Sequence, residues 1–267
     1  MDMPKNAFKR DLARKPPMIG TWIMSGGTVT AEALGCVGFD FLVVDMEHVP
    51  LDFERTHATL QAIAGTPASA VTRVPWNDPV TVKRALDLGA QTLMFPMIQS
   101  AAEAKAAVAA TRYPPRGMRG IAAVHRASRY GTVSNYLKTA ESEICVIAQI
   151  ETPEALAKLE EYAAVDGVDA LFVGPGDLSG AMGHLGDIAN PKVQAALADA
   201  ARRAQAVGKP CGIVGPNPDM VKSFLAMGYG YVAIASDMGM MVGRATEFLG
   251  ALRGAPAAAP AKPSGPY

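Results

Sequence analysis

The sequence has few charged residues, and those present carry no net charge of either sign. Lys and Arg together number 25, Asp and Glu together number 25, and charged residues make up only 19% of the 267. A chain without a cationic excess offers no broad field for binding phosphates or anionic lipid headgroups. We therefore expect neither nucleic acid nor a membrane surface as a partner.

Cysteines are scarce, and long apolar runs are missing. The three cysteines, Cys36, Cys145 and Cys211, are far apart and form no CxxC pair, which argues against a zinc site or a redox dithiol. No apolar run approaches the roughly 18 to 20 residues that span a bilayer. The first 17 residues lack the apolar segment of a secretory signal. These features predict a reduced, cytoplasmic protein.

What the sequence does have is a repeated alternation of apolar runs and amphipathic stretches. The apolar runs are near-continuous, as in parallel strands buried on both faces, and lie at 18–23, 39–45, 69–74, 91–97, 144–150, 168–174, 210–214 and 230–235. Helical patterns lie at 53–64, 79–88, 100–111, 153–163, 191–207, 217–227 and 239–252. Eight such units in about 250 residues predict a (β/α)8 TIM barrel with parallel strands. A doubly wound sheet is the alternative, but no GxGxxG segment follows a strand near the start.

We expect one barrel domain over residues 1–253, because a chain of this length suffices for one large core and is marginal for two. The Ala/Pro-rich segment 254–267 is typical of a disordered tail. The longest irregular stretch is 112–135, which contains two prolines and several arginines. A loop of that length in a compact barrel is usually functional or interfacial.

Functional residues of a barrel lie at the carboxyl ends of its strands and in the loops beyond. Glu151 and Asp177 follow neighbouring predicted strands, so their carboxylates could bind one hard cation. The alternative is that each caps the helix that follows it. The segment Gly174-Pro175-Gly176 could expose backbone N–H groups to an anion at the start of a short helix. Proline has no N–H, so the donors would belong to Gly176, Asp177 and Leu178.

The second and third strands end in a further polar group. His48 lies three residues after Asp45, whose carboxylate could hold the imidazole in one tautomer for proton abstraction. Alternatively, His48 is a solvated loop residue. Arg73 is costly to bury unless it pairs with an anion, either a substrate oxygen or Asp45 or Glu47. No lysine occupies a strand end, so a carbanion beside a carbonyl would need a metal rather than an imine.

Eight segments together carry a family resemblance. They are GTW (20–22), GFDFLVVDMEHVP (38–50), LDLGAQTLMFPMIQS (86–100), ATRYPPRGMRG (110–120), RASRY (126–130), QIETPEAL (149–156), VDALFVGPGDLSGAMGHLG (168–186) and GKPCGI (208–213). In this order they resemble the HpcH/HpaI class II pyruvate aldolases, such as 4-hydroxy-2-oxoheptanedioate aldolase and 2-dehydro-3-deoxyglucarate aldolase. The resemblance covers residues from about 18 to 250.

The resemblance implies a lyase that reversibly cleaves a 4-hydroxy-2-oxo acid into pyruvate, or a close 2-oxo acid, and an aldehyde through a metal-stabilised enolate. It implies that Glu151 and Asp177 hold Mg²⁺, Mn²⁺ or Co²⁺, that His48 with Asp45 is the base, and that Arg73 stabilises the enolate oxygen. The implied substrate-binding residues are Trp22, Gln149, Gly176, Asp177, Leu178 and Val214.

The resemblance also implies a homo-hexamer with exchanged C-terminal helices, for which the helix at 239–252 is the candidate. The 112–130 loop could then contribute to an active site, its own or a neighbour's. Some members of the family have glycine at the position of Met46 and alanine at that of Gly176. Met46 would add bulk beside the base. Two other functions stay open: a CoA-ester lyase of the citramalyl-CoA or malyl-CoA type, and a barrel that binds an oxo acid without catalysis.

Overall fold

Eight parallel strands close into a barrel in chain order, so the predicted (β/α)8 barrel is confirmed. The computed structural model describes residues 1–12, 14 and 16–254. The tail expected at 254–267 lies outside this part from residue 255 onward. The strands are β1 (Met18–Ile23), β2 (Phe41–Asp45), β3 (Ser69–Arg73), β4 (Thr92–Phe95), β5 (Cys145–Ile150), β6 (Ala170–Val173), β7 (Cys211–Gly215) and β8 (Tyr231–Ser236). Each predicted strand overlaps an observed one.

Helices alternate with the strands. They are α1 (Ala7–Asp11), α2 (Thr28–Val37), α3 (Phe53–Ala64), α4 (Pro79–Asp87), α5 (Ala101–Thr111), α6 (Tyr136–Thr139), α7 (Pro153–Ala157), α8 (Leu159–Ala163), α9 (Pro175–Ala181), α10 (Pro191–Ala206), α11 (Pro218–Met227) and α12 (Asp237–Leu252). The helix predicted over 153–163 is divided into α7 and α8 at Lys158, whose φ of −105° and ψ of 18° are not helical. No helix in the described part is long and apolar enough to cross a membrane.

The barrel separates two hydrophobic cores. Side chains such as Val43 and Val71 fill the interior, whereas Val44 packs in the layer between strands and helices. Successive side chains of a strand point to opposite faces. Asp45 and Arg73, two residues beyond Val43 and Val71, therefore face the same interior at the carboxyl end of the barrel.

The amino end of the barrel is closed by the helix α1. The Phe8 ring packs edge-on against Phe41 and Tyr231, with ring centroids 5.4 Å apart in both pairs. Asn6 fixes this helix in place, because its backbone N–H donates to Glu143 Oε2 at 2.8 Å and its amide donates to Glu143 O at 3.0 Å. The interior is thus filled from this side, and the polar residues that follow the strands lie at the opposite end.

The stretch 112–135 is irregular, as predicted, apart from a 3₁₀ turn at Arg126–Ser128. Its anchor is Arg119, which is buried, donates to Asp87 Oδ1 at 2.7 Å and lies 4.6 Å from the centre of the Tyr113 ring. Large apolar side chains of the same stretch remain exposed: Met118, Ile121, Val124 and Tyr130.

Candidate active site

A buried arginine and a buried aspartate form the floor of the site. Asp45 and Arg73 are direct partners in the β2–β3 register. Arg73 donates to Asp45 through Nε at 2.9 Å and through Nη2 at 2.6 Å, and neither side chain is exposed. The Trp22 ring stacks on the guanidinium, with its centre 4.3 Å from Cζ. These contacts fix the plane of the guanidinium.

The turn after β2 carries Glu47 and His48. Asp45 Oδ1 accepts the backbone N–H of Glu47 at 3.0 Å and that of His48 at 3.4 Å. Asp45 therefore positions Arg73 and this turn, whereas its spacing from His48 predicts that it holds the imidazole. Glu47 Oε2 instead lies 3.9 Å from His48 Nε2 and 3.1 Å from Arg73 Nη1. Burial raises the pKa of Glu47, and the positive charge of Arg73 opposes this shift.

Glu151 directly follows β5, and each of its carboxylate oxygens accepts a hydrogen bond. Gln149 Nε2 donates to its Oε1 at 2.9 Å, and the backbone N–H of Met97 donates to its Oε2 at 2.7 Å. Met97 has a φ of 52°, a left-handed conformation that costs energy for a residue with a side chain. A Cβ at position 174 would lie 2.6 Å from Glu151 Oε1, so only glycine fits there. Sequence reasoning missed Met97, whose residue type carries no chemical signal, and it assigned Gly174 to an anion site rather than to the space beside Glu151.

Neither Glu151 nor Asp177 is the N-cap of a helix. Thr152 caps α7, because its side chain accepts the N–H of Ala155. Gly174 is the N-cap of α9, and Asp177 lies three residues further on. The alternative that these two carboxylates serve as N-caps is therefore wrong, and both remain available for ligands.

The donor set fits a divalent cation. Burial raises the pKa of Glu151 to about 8, and the negative charges of Asp177 and Glu47 also favour its protonated form. Nearby carboxylates that disfavour one another's charge indicate a place for a cation. Gln149 Oε1 is buried and has no hydrogen-bond partner among the described residues, so one further acceptor is present. Hard cations prefer such oxygen ligands.

The protein supplies few ligands to such a cation. Within residues 1–12, 14 and 16–254, no group of three or more His, Cys, Asp or Glu side chains could hold a metal ion. Two carboxylates leave most of an octahedral shell to water or substrate. An open shell of this kind is what a catalytic rather than a structural site requires.

The start of α9 provides fewer backbone donors than expected. The N–H of Leu178 donates to Gly174 O at 3.0 Å inside the helix, and its side chain packs in the outer core. Pro175 has no N–H. The predicted anion cradle is thereby reduced to the N–H groups of Gly176 and Asp177, and Asp177 itself is exposed at the mouth.

Two apolar residues of the interior lie beneath the site, whereas Met46, which was expected beside the base, does not. Val214 and Trp22 belong to the interior core, where Trp22 packs against Phe172 at a centroid distance of 6.2 Å. Met46 points the other way, into the outer core. The expectation that Met46 adds bulk beside the base is therefore wrong, because alternation along β2 carries its side chain away from the mouth.

Comparisons with known proteins agree with this architecture. The family model of the HpcH/HpaI aldolase/citrate lyase family matches residues 18–243. The chain is 55% identical to a 2-dehydro-3,6-dideoxy-6-sulfogluconate aldolase of Pseudomonas putida, over 91% of this chain and 95% of the relative. It is 46% identical to a 4-hydroxy-2-oxo-heptane-1,7-dioate aldolase of Salmonella heidelberg, over 94% and 95%.

Among solved structures, the chain is similar to an HpcH/HpaI aldolase/citrate lyase family protein from Burkholderia cenocepacia. The two share 38% identity and a TM-score of 0.90, over 93% of this chain and 100% of the other. The sequence matches and the fold indicate the same family. The chain belongs to the HpcH/HpaI aldolase/citrate lyase family.

Proposed function

We propose that this chain is a class II aldolase that reversibly cleaves a 4-hydroxy-2-oxo acid into pyruvate, or a close 2-oxo acid, and an aldehyde. Its family and its relatives show that it is a carbon–carbon lyase of the aldolase type. The observation that carries the finer proposal is the buried carboxylate of Glu151, which lies at the mouth that also holds the fixed guanidinium of Arg73. This pairing suits a reaction in which negative charge develops beside a carboxylate.

Each residue has a distinct task in this proposal. Glu151 and Asp177 hold a divalent cation, Mg²⁺, Mn²⁺ or Co²⁺, which when bound would polarise the 2-oxo group. Arg73 donates a hydrogen bond to the oxygen that becomes negative as the C3–C4 bond breaks. His48 accepts the proton of the 4-hydroxyl group as the aldehyde leaves, and the resulting imidazolium returns a proton to C3 of the enolate to give pyruvate. The N–H groups of Gly176 and Asp177 receive the substrate carboxylate.

The remaining predicted residues shape the pocket. Gln149 orients Glu151 and presents its buried Oε1 to a bound water. Trp22 fixes the orientation of the guanidinium and excludes water from its face, while Val214 forms an apolar surface under the aldehyde. All three cysteines of the chain are free thiols, which suits a reducing compartment such as the cytoplasm.

Pyruvate release from a panel of 4-hydroxy-2-oxo acids tests the proposed function. The panel includes the substrates for which the two relatives are named, because their aldehyde products end in different acidic groups, a sulfonate and a carboxylate. We expect EDTA to abolish release and added Mg²⁺ or Mn²⁺ to restore it, since the carboxylates alone repel an anionic substrate. Silence across the panel with metal bound would contradict the proposal and favour a CoA ester substrate or binding without catalysis.

We further propose a homo-oligomer, a hexamer, in which the α12 helix of each chain packs on a neighbour. The helix is exposed over most of its length, with Phe248 54% and Leu252 84% exposed. Exposed apolar surface of this extent marks a protein interface. The 112–130 loop, with its exposed Ile121 and Tyr130, is proposed to take part in the same assembly.

Disruption of the α12 surface tests this assembly. We expect light scattering to report six chains for the wild type and a smaller species for Phe248→Glu, because a charge cannot be buried in an apolar interface. The matched control is Thr246→Glu, which adds the same charge about 200° around the helix. A monomeric wild type, or equal masses for both variants, would contradict the assignment.

A further inference from the structure

One oxygen of Glu47 faces both Arg73 and His48. Glu47 Oε2 lies 3.1 Å from Arg73 Nη1 and 3.9 Å from His48 Nε2. The first distance is that of an ion pair, although this oxygen makes no hydrogen bond with a described residue. The second distance is too long for a hydrogen bond. In the structure, Glu47 therefore pairs with Arg73, and its interaction with the His48 imidazole is the weaker of the two.

The two carboxylates on Arg73 differ in how easily they can be replaced. Asp45 binds one edge of the guanidinium through both Nε and Nη2, is fully buried and also accepts two backbone N–H groups. Glu47 binds Arg73 at Nη1 and is 17% exposed at the mouth. Removing a buried, multiply bonded carboxylate costs far more than turning a partly solvated one. An incoming anion can therefore displace Glu47 from Arg73, but not Asp45.

The displaced carboxylate has a second partner within reach. His48 Nε2 lies 3.9 Å from Glu47 Oε2, so a small rotation of the glutamate would make a hydrogen bond. His48 is 53% exposed, and Asp45, the carboxylate expected to orient it, is already bound to Arg73. The imidazole thus needs a partner at the moment when substrate reaches Arg73.

We propose that Glu47 is an exchangeable positioning residue: it occupies Nη1 of Arg73 in the resting enzyme, yields it to an oxygen of the 2-oxo acid, and then holds His48. This inference rests on the proposed function, because it assumes that the substrate oxygen binds Arg73. Glu47 would accept a hydrogen bond from Nε2–H, which leaves Nδ1 to take the proton of the substrate hydroxyl. No covalent bond to Glu47 is made or broken, and its charge stabilises the imidazolium.

The exchange predicts opposite effects on binding and on proton transfer. Glu47→Gln removes a competitor for Arg73, so an anion that mimics the enolate should bind more tightly. The same change removes the charge that supports the imidazolium, so proton transfer should slow. A residue that merely braces the turn would weaken both processes together. The direction of the two changes therefore separates the two roles.

The test uses oxalate, a planar dianion, on the Mn²⁺-loaded enzyme, and the exchange of pyruvate C3 hydrogens with D2O. For Glu47→Gln we expect the oxalate dissociation constant, measured by calorimetry, to fall about threefold or more. We expect hydrogen exchange, followed by NMR, to slow by at least about tenfold. Glu32→Gln, the same change at an exposed position of α2, should alter neither. His48→Ala should lose exchange and keep oxalate binding.

Two further outcomes decide the inference. If Glu47→Gln does not fold, Glu47→Asp takes its place: the shorter side chain should slow exchange while oxalate binds at least as tightly. Weaker oxalate binding, or unchanged exchange, in the variant that folds would overturn the exchange of partners while leaving the aldolase assignment intact. A metal-loaded wild type that neither binds oxalate nor exchanges the pyruvate hydrogens would overturn the proposed function together with this inference.

Discussion

Glu151→Gln is expected to reduce metal-dependent pyruvate release by at least about a thousandfold, because a cation that stabilises developing charge contributes several kcal/mol to the rate. The change preserves the size of the side chain and its acceptor for the Met97 N–H, which donates at 2.7 Å. Gln149 can turn its amide so that its unpartnered Oε1 accepts from the new amide. The local structure should therefore survive while the charge is lost.

Metal content measured after dialysis against Mn²⁺ checks the cause of the loss. The variant should retain less metal than the wild type, since an amide oxygen is a weaker ligand than a carboxylate for a hard cation. Glu154→Gln is the matched control, because it makes the same change three residues away at an exposed position of α7. A variant that keeps both its metal and its cleavage activity would remove Glu151 from the proposed cation site.

The strands could be predicted because parallel strands in a barrel are buried on both faces. The run over 39–45 is almost continuously apolar rather than alternating between apolar and polar residues. β2 is observed there at Phe41–Asp45, with every residue buried. Helix α2 was not predicted, because Gly27 at its start supplies no capping side chain and Gly35 interrupts its pattern. Helix α1 was missed for another reason: five residues give no periodicity, and its stability comes from Phe8 inside the barrel.

The site could be predicted at the level of strand ends, but not at the level of partners. A barrel brings all strand ends to one mouth, so Glu151 and Arg73 could be named from position alone. Which carboxylate pairs with which cationic side chain depends on differences of less than 1 Å between interatomic distances. Asp45 turned out to bind Arg73, and Glu47 lies nearer to the imidazole. The support that Met97 gives through its backbone has no signature in a side chain.

Arg73→Lys tests whether the floor of the site requires a planar guanidinium or only a positive charge. Arg73→Lys is expected to lower kcat/KM for cleavage by about 10²- to 10³-fold, the loss seen when one donor to a developing oxyanion is removed. Lysine keeps the positive charge but presents a compact ammonium in place of a planar fork. Asp45, which now binds both Nε and Nη2, would draw that ammonium to the floor and away from the mouth.

The control for Arg73→Lys is Arg84→Lys on α4. Arg84 also stacks on an aromatic ring, with its Cζ 3.7 Å from the centre of Phe53, but lies outside the site. We expect Arg84→Lys to leave cleavage unchanged and Arg73→Lys to retain bound metal, since neither changes Glu151. Wild-type kinetics in Arg73→Lys would mean that this residue only joins β2 to β3. Loss of cleavage with metal retained would instead mean that the guanidinium stabilises the negative charge that develops on the substrate. The cation site alone would then be insufficient for the reaction.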